Sequence, residues 1–162
     1  MGATEEILAG LIDEWRCAPF LLELERALVE ELAIATEPFA GRPLPDEHVR
    51  GRLPEPIRSA WVFVLRPRTR NPAHVHPGST QLTAVIRGGG TCHSGGRAIA
   101  LEPFDRARTE QTLLVFPPGT PHAFEPGEEP LVVLSFHTVA PGELVEIEVE
   151  SRASRTYVVP DG

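Results

Sequence analysis

From Trp61 onward the chain consists of short apolar segments separated by turn sequences. The segments are rich in valine, leucine and threonine: WVFVL, QLTAVI, TLLVF, LVVLSFHTV, LVEIEVE and TYVV. Between them lie RGGG, EPFD, PPGTP, EPGEEP and APGE, whose glycine, proline and acidic residues favour turns. LVEIEVE alternates apolar and charged residues, as a half-buried strand does. This pattern predicts an antiparallel β-sandwich or barrel, and it contains nothing that resembles a βαβ unit.

The first third of the chain has a helical period instead. Apolar residues recur every three or four positions in two runs: Ile7, Leu8, Leu11, Ile12 and Trp15, then Leu21, Leu24, Leu28 and Leu32. They predict helices over about 4–16 and 18–35 that cover one end or side of the barrel. Residues 38–59 contain five prolines and are predicted to form a connector that is neither strand nor helix. We therefore divide the chain into residues 1–57, with the helices and connector, and residues 58–162, which form the barrel.

Charge and composition exclude several classes of partner. The formal net charge of −8 argues against nucleic acid, whose binding requires dense basic patches. No apolar run approaches the roughly 20 residues of a membrane span, and no basic segment followed by an apolar one opens the chain. Cys17 and Cys92 lie far apart and form no CxxC pattern. Two reduced thiols suit the cytosol, so a cytoplasmic protein is expected.

Three histidines have the spacing of metal ligands. His74 and His76 are two residues apart, and in a strand such residues project from the same face. His122 follows the proline-rich turn at residues 117–121, which can hold a third imidazole near the other two. Neutral imidazole is a common ligand of transition metals, and three of them leave coordination positions open. The sequence therefore predicts one divalent transition-metal ion.

Around these histidines the sequence resembles the cupin family. His74-Val75-His76, followed by Gln81 and Gly88, resembles the first cupin motif, G-x5-H-x-H-x3,4-E-x6-G. The segment from Pro117 to His122 resembles the second, G-x5-P-x-G-x2-H-x3-N. Four positions depart from the motifs: Arg68, Gln81, Gln111 and Pro126. The resemblance implies an all-β fold, a cupin double-stranded β-helix or jelly-roll barrel preceded by two α-helices. It also implies metal ligation by the three histidines and pairing into a homodimer.

The most consequential departure is Gln81, which stands where cupins carry a ligating glutamate. A neutral amide is a poor ligand for a hard cation, so the three histidines would hold the metal alone. A site with a net charge of about +2 favours an anionic small-molecule substrate bound through a thiolate, carboxylate or enolate. Gln81 is then expected to border the cavity as a hydrogen-bonding group.

Three-histidine iron sites occur in thiol dioxygenases, which are cupins with N-terminal helices and a later Ser-x-His-x-Tyr segment. Ser135-Phe136-His137 is similar to that segment, although Val139 replaces its tyrosine. The resemblance implies that His137, oriented by Ser135, is a proton shuttle or a hydrogen-bond partner of the substrate. Arg66, Arg68 and Arg70 alternate as His74 and His76 do, so Arg66 is a candidate pocket residue whose guanidinium would pair with a substrate carboxylate. Exposure to solvent is the alternative for each of these arginines.

These observations favour a non-haem iron dioxygenase that acts on a small thiol or organic acid, with Fe(II) as the metal and Mn, Ni or Zn as substitutes. Two alternatives remain open. One is a Lewis-acid isomerase or lyase, and the other is a non-catalytic cupin that binds a small molecule. The fold alone does not separate these functions.

Overall fold

The computed structural model describes residues 2–157 of the chain. Two long helices come first, α1 at Ala3–Trp15 and α2 at Pro19–Ile34. They match the two predicted helices to within about a residue at each end. Two single-turn helices follow later, α3 at Asp46–Val49 and α4 at Thr109–Thr112.

The rest of the described chain is organised as short strands. In chain order they are β1 Phe39–Pro43, β2 Ser59–Leu65, β3 His74–Val75, β4 Gln81–Arg87, β5 Gly90–Ser94, β6 Arg97–Leu101, β7 Leu113–Phe116, β8 His122–Pro126, β9 Leu131–His137, β10 Val145–Glu148 and β11 Ser154–Thr156. They form one sheet in the order β1-β2-β9-β4-β7 and a second in the order β11-β10-β3-β8-β5-β6. Neighbouring strands in both sheets run antiparallel. The two sheets form the jelly-roll barrel that the sequence predicts.

The two long helices pack on the outer face of the five-stranded sheet. Alternate residues of β2, Ala60, Val62 and Val64, belong to one buried cluster with Leu8, Ile12, Trp15, Leu21 and Leu28 of the helices. The residues between them, Phe63 and Leu65, line the interior of the barrel. Both faces of β2 are therefore covered, which explains why this strand is almost continuously apolar in sequence.

Residues 38–59 were predicted to form a connector without strand or helix. This prediction is wrong, because the segment contains β1 and α3. β1 pairs with β2 from Phe39 opposite Leu65 to Pro43 opposite Trp61. Proline is compatible with a strand at the edge of a sheet, where its missing N–H leaves no ladder bond unmade. β1 is such an edge strand, so the sheet extends N-terminal to residue 58.

At the other end of the chain the last strand is Ser154–Thr156. The predicted TYVV strand lies mostly outside the described residues, which end at Tyr157. Within residues 2–157, no helix has both the length and the apolar character that crossing a bilayer requires.

Candidate metal centre

The three predicted ligands come together inside the barrel. His74 begins β3, His76 follows that strand directly, and His122 begins β8. His74 lies opposite His122 in the antiparallel pairing of the two strands. Each residue offers one ring nitrogen, and the three nitrogens lie within 4.8 Å of one another. The imidazoles are buried, so they form a compact donor set shielded from water.

The turn before His122 is attached to the strand that carries the other two histidines. Gly119 has a φ of +74°, a conformation that side chains with a Cβ rarely adopt. Its amide donates to the carbonyl oxygen of His76 over 3.1 Å. The glycine of the second motif therefore fixes where His122 enters the barrel.

Backbone carbonyls hold all three rings through Nδ1. The acceptors are Pro72 for His74 at 3.2 Å, Val145 for His76 at 2.8 Å and Thr120 for His122 at 2.9 Å. A carbonyl oxygen can only accept, so each Nδ1 carries the proton and each neutral ring keeps a lone pair on Nε2. This arrangement is the usual way in which proteins orient metal-binding histidines.

A divalent transition-metal ion fits these residues. Nε2 of His122 is buried and has no hydrogen-bond partner among the described residues. Nitrogens bind such ions at about 2.1 Å, so two of them on one ion lie up to about 4.2 Å apart. The 4.8 Å limit within which the three nitrogens lie therefore requires only a small rotation of the rings.

Burial keeps the ligands neutral. It lowers the pKa of His122 to about 3, with a further contribution from His74. The pKa of His76 is lowered for the same two reasons, burial first and His74 second. A neutral imidazole is the form that binds a metal, so protons compete weakly for these two ligands at neutral pH.

His74 and His76 border a small cavity with a free volume of about 30 Å³, and His122 lies just outside the residues that line it. One part of the wall is apolar and consists of Phe39, Phe63, Leu65, Phe124 and Val133. The other part is polar and consists of Asn71, His74, His76, Gln81, Ser135, His137, Glu146 and Tyr157. This lining contains no arginine, and the chain contains no lysine.

Gln81 lies in the cavity wall, opposite His137 in the pairing of β4 with β9. Its amide nitrogen donates to Thr83 Oγ1 over 2.7 Å, and Thr83 Oγ1 in turn lies 2.9 Å from Ser135 Oγ. The amide oxygen of Gln81 is buried and has no partner within the described chain. Gln81 therefore offers a free acceptor, and its orientation depends on Thr83 and Ser135.

His137 also lies in the cavity wall, with its ring centroid 5.1 Å from that of His76. Burial, together with the neighbouring histidines, holds its pKa well below the ordinary value. The predicted orientation by Ser135 is wrong, because Nδ1 of His137 lies 3.2 Å from Ser79 Oγ instead. Sequence reasoning missed Ser79, which no motif singles out.

His137 and His122 belong to different sheets. His137 ends β9, which lies between β2 and β4 in the five-stranded sheet, whereas β8 belongs to the six-stranded sheet. The two histidines reach the same cavity from opposite walls of the barrel. A two-residue spacing predicts that two side chains lie on the same face of one strand. It does not predict which other strand pairs with that strand.

Arg66 lies outside the cavity. Its guanidinium donates to the carbonyl oxygens of Leu32, Ala35 and Glu37 at 2.9–3.3 Å. These carbonyls belong to the last turn of α2 and to the residues that follow it, where a helix has unpaired acceptors and partial negative charge. Arg66 therefore holds the end of α2 in place, and it is not positioned to pair with a substrate in the cavity.

Two further polar residues of the cavity were not predicted. Glu146 on β10 is buried, and its carboxylate accepts a hydrogen bond of 2.5 Å from the Tyr157 hydroxyl. The alternation of LVEIEVE indicates that its glutamates face solvent, but Glu146 faces the cavity. Burial, reinforced by Glu146, raises the pKa of Tyr157, so this hydroxyl remains a donor.

The remaining titratable residues of interest lie outside the cavity lining. Cys92 is fully buried in β5, and this burial raises the pKa of its thiol to about 11. Cys17 is exposed between the two long helices. His93 pairs with Glu125 at 2.8 Å, and the ring of His48 stacks on that of Phe20.

Comparisons with known proteins agree with this fold. Residues 61–137 match the Cupin domain family. No protein with a curated description matches the chain in sequence. Among solved structures, the salicylate 1,2-dioxygenase of Pseudaminobacter salicylatoxidans is similar with a TM-score of 0.56 and 18% identity, over 73% of this chain and 33% of the dioxygenase. The same dioxygenase is also known with gentisate bound.

The DMSP lyase of Ruegeria pomeroyi is similar with a TM-score of 0.53 and 20% identity, over 71% of this chain and 53% of the lyase. The chain thus spans about half of one relative and a third of the other. At this level of identity the likeness concerns the fold. The family match, together with the two-sheet barrel and the convergent histidines, identifies residues 61–137 as a cupin domain.

Proposed function

We propose that this cupin is a mononuclear metal-dependent dioxygenase, resembling thiol dioxygenases, that acts on a small thiol or organic acid. The observation that carries the proposal is the convergence of three imidazole nitrogens beside a cavity that is lined by His74, His76 and His137. The family motif position that would supply a carboxylate ligand holds Gln81. Three imidazoles without a carboxylate ligand resemble the three-histidine iron sites of thiol dioxygenases.

The metal is proposed to be Fe(II), held by His74, His76 and His122, with Mn, Ni or Zn as substitutes. Iron bound there would supply the redox chemistry that joins a substrate to O2. The chain contributes neutral ligands in fixed orientations and a buried, partly apolar cavity that limits access by water.

The substrate is proposed to be a small molecule with an anionic donor atom. Three neutral imidazoles do not reduce the positive charge of the ion. This charge favours a substrate that binds through a thiolate, enolate or carboxylate. The described cavity wall has no arginine to receive a second anionic group. We therefore expect a substrate with one anionic group, which binds at the metal.

His137 is proposed to accept a proton from the substrate. The Ser79 hydroxyl donates to the carbonyl oxygen of Thr80 over 3.0 Å, so it is free to accept from Nδ1 of His137. The neutral ring then keeps its lone pair on Nε2. A thiol or hydroxyl must lose its proton to become an anionic ligand, and Nε2 of His137 is a proton acceptor in the cavity wall, although burial lowers the pKa of this imidazole and so weakens it as a base.

A metal-dependent lyase is the second candidate, because the similar structures include a lyase as well as a dioxygenase. In that case the ion would act as a Lewis acid, and O2 would not be consumed. A cupin that binds a small molecule without turning it over is the third.

Metal analysis followed by oxygen uptake separates these functions. The purified protein is loaded with Fe(II) and assayed with a panel of small thiols and organic acids, with His122→Ala as the metal-deficient control. Oxygen consumption that depends on both iron and His122 supports the dioxygenase. Product formation without oxygen consumption supports the lyase or isomerase, and saturable binding without turnover supports the binding protein. A wild-type protein that retains no divalent metal overturns all metal-dependent functions.

We further propose that the protein acts in the cytoplasm as a homodimer. Light scattering on the purified chain tests the dimer, and a monomeric mass would contradict it without affecting the proposed chemistry.

A further inference from the structure

Glu146 lies directly beside the three histidines. Its Oε2 is 3.8 Å from His74 Nε2, the nitrogen that is free to bind a metal. The position follows from the pairing of β10 with β3, in which Ile147 lies opposite Val75. Residues directly opposite each other share a face of the sheet, and neighbouring residues along a strand alternate. Glu146 therefore projects to the same face as His74 and His76.

The carboxylate is held in this position by Tyr157. The hydroxyl donates to the same Oε2 that faces His74. The Tyr157 ring is in turn packed against Trp61 and Phe63, at centroid distances of 5.4 and 5.7 Å. These contacts restrict the movement of the tyrosine, so Glu146 has a defined orientation toward the histidines.

Among the described residues, the ion-pair partner of this carboxylate is His74, and only when that imidazole is protonated. Arg155 lies opposite Glu146 in the pairing of β10 with β11, but its guanidinium pairs with Glu37 at 4.0 Å and acts on the Tyr157 hydroxyl. The side chain of Glu146 is only 8% exposed. A buried carboxylate is costly when no permanent cation contacts it, and one hydrogen bond from a hydroxyl does not remove that cost. A divalent cation at His74 Nε2 would compensate the charge directly.

We infer that Glu146, oriented by Tyr157, supplies the negative charge of the metal site that Gln81 cannot supply from the family's motif position. This inference rests on the proposed metal binding. Glu146 reaches the site from β10, a strand outside both cupin motifs, and it does not belong to the group whose ligand atoms all lie within 4.8 Å of one another. Its contribution is therefore electrostatic or through a molecule bound to the ion, and it reduces the net charge of the site from about +2 to about +1.

The test is the affinity of the protein for Co(II), measured by calorimetry and by the visible absorption of the bound ion. Glu146→Gln keeps the size of the side chain and removes its charge. It is expected to weaken Co(II) binding by about 10- to 100-fold, the usual effect of losing a group that supports a metal ligand. Tyr157→Phe removes only the hydroxyl and is expected to have a smaller effect in the same direction.

Glu125→Gln is the matched control. Glu125 also pairs with a histidine, His93 at 2.8 Å, but neither residue lines the cavity. This variant is expected to bind Co(II) like the wild type. The double variant Gln81→Glu with Glu146→Gln returns a carboxylate to the cavity from β4, and it is expected to recover part of the lost affinity.

The outcomes separate this inference from the proposed function. Wild-type protein that fails to bind Co(II) would overturn both. Wild-type binding together with an unchanged affinity in folded Glu146→Gln would overturn the role of Glu146 alone. An equal loss in Glu125→Gln, or no recovery in the folded double variant, would also contradict a specific role for the charge of Glu146.

Discussion

Nδ1 of His137 lies 3.2 Å from the hydroxyl of Ser79, which follows the metal-binding His76 by only three residues. The Ser79 amide also donates to the carbonyl oxygen of His76 over 3.4 Å. One short segment therefore positions both a metal ligand and the imidazole that faces it across the cavity. A change in this segment would affect the proposed metal site and the proposed proton acceptor together.

Replacing His137 by alanine should separate metal binding from turnover. The residue does not belong to the three-imidazole group, so His137→Ala should retain the metal. Turnover should fall by roughly 10²–10⁴, the range for loss of a proton-transfer group. Metal content is measured on the same sample as the rate, and loss of the metal in this variant would contradict the assignment.

The Ser79–His137 hydrogen bond can be tested against the predicted Ser135 contact. Ser79→Ala should reduce turnover, because the tautomer and orientation of His137 are no longer fixed, and should shift the acidic limb of the pH–rate profile. Ser135→Ala leaves Nδ1 of His137 with its partner and should leave that limb in place. A larger shift in Ser135→Ala than in Ser79→Ala would restore the original sequence prediction.

His122 should be indispensable for the metal. His122→Ala removes one of three converging nitrogens, so the metal content after dialysis should fall close to zero. His93→Ala is the control, since His93 lies on β5 and is not a cavity residue. Metal content by elemental analysis decides the matter, and full retention by His122→Ala would refute the site.

The metal-free protein should lose stability as the pH falls below about 6.5. Burial lowers the pKa of His76, and it lowers the pKa of His122 to about 3. In the unfolded chain these imidazoles take up protons near pH 6.5, whereas in the folded chain they remain neutral to lower pH. The unfolded state therefore binds more protons, and the free energy of unfolding falls with decreasing pH.

Urea unfolding at several pH values measures this effect. Each imidazole that stays neutral only in the folded state contributes a slope of about 1.4 kcal/mol per pH unit. The unfolding midpoint should change little from these groups above pH 7 and decrease below 6.5. His122→Asn should reduce the slope, and an equal slope in wild type and variant would show that folding does not change the protonation of His122.

Arg66→Ala should lower stability without affecting the cavity. The guanidinium bonds three carbonyl groups at the end of α2, and their loss should reduce the free energy of unfolding by about 1 kcal/mol. Arg97→Ala on the exposed β6 is the control and should be neutral. If Arg66→Ala instead changed substrate affinity at unchanged stability, the helix-docking role would be wrong.

Local patterns predicted the parts of the site that depend on neighbouring residues in sequence. The two-residue spacing of His74 and His76 determines a common face, and the turn before His122 carries the required glycine. The helices were predictable because their apolar residues repeat with the helical period. These features need no knowledge of which strands pair.

Contacts between distant strands were not predictable in the same way. Ser79 and His137 are 58 residues apart, and no periodicity in the sequence relates them. The alternation of LVEIEVE indicates that its glutamates face solvent, but Glu146 lines the cavity. The face of β10 that would contact solvent in an isolated sheet lies over the cavity here. β1 was not predicted, because the prolines of residues 38–59 indicated a connector. An edge strand tolerates proline, whereas a central strand does not.

The two cysteines differ in their exposure to solvent, which permits selective labelling of one of them. Cys92 is fully buried with a pKa of about 11, so almost none of it is thiolate at neutral pH. Cys17 is exposed in the turn between α1 and α2. A thiol-reactive spin label added to the unmodified protein should therefore attach at Cys17 alone. Its electron paramagnetic resonance signal would report the distance from the helical layer to a paramagnetic ion in the barrel, without any engineered cysteine.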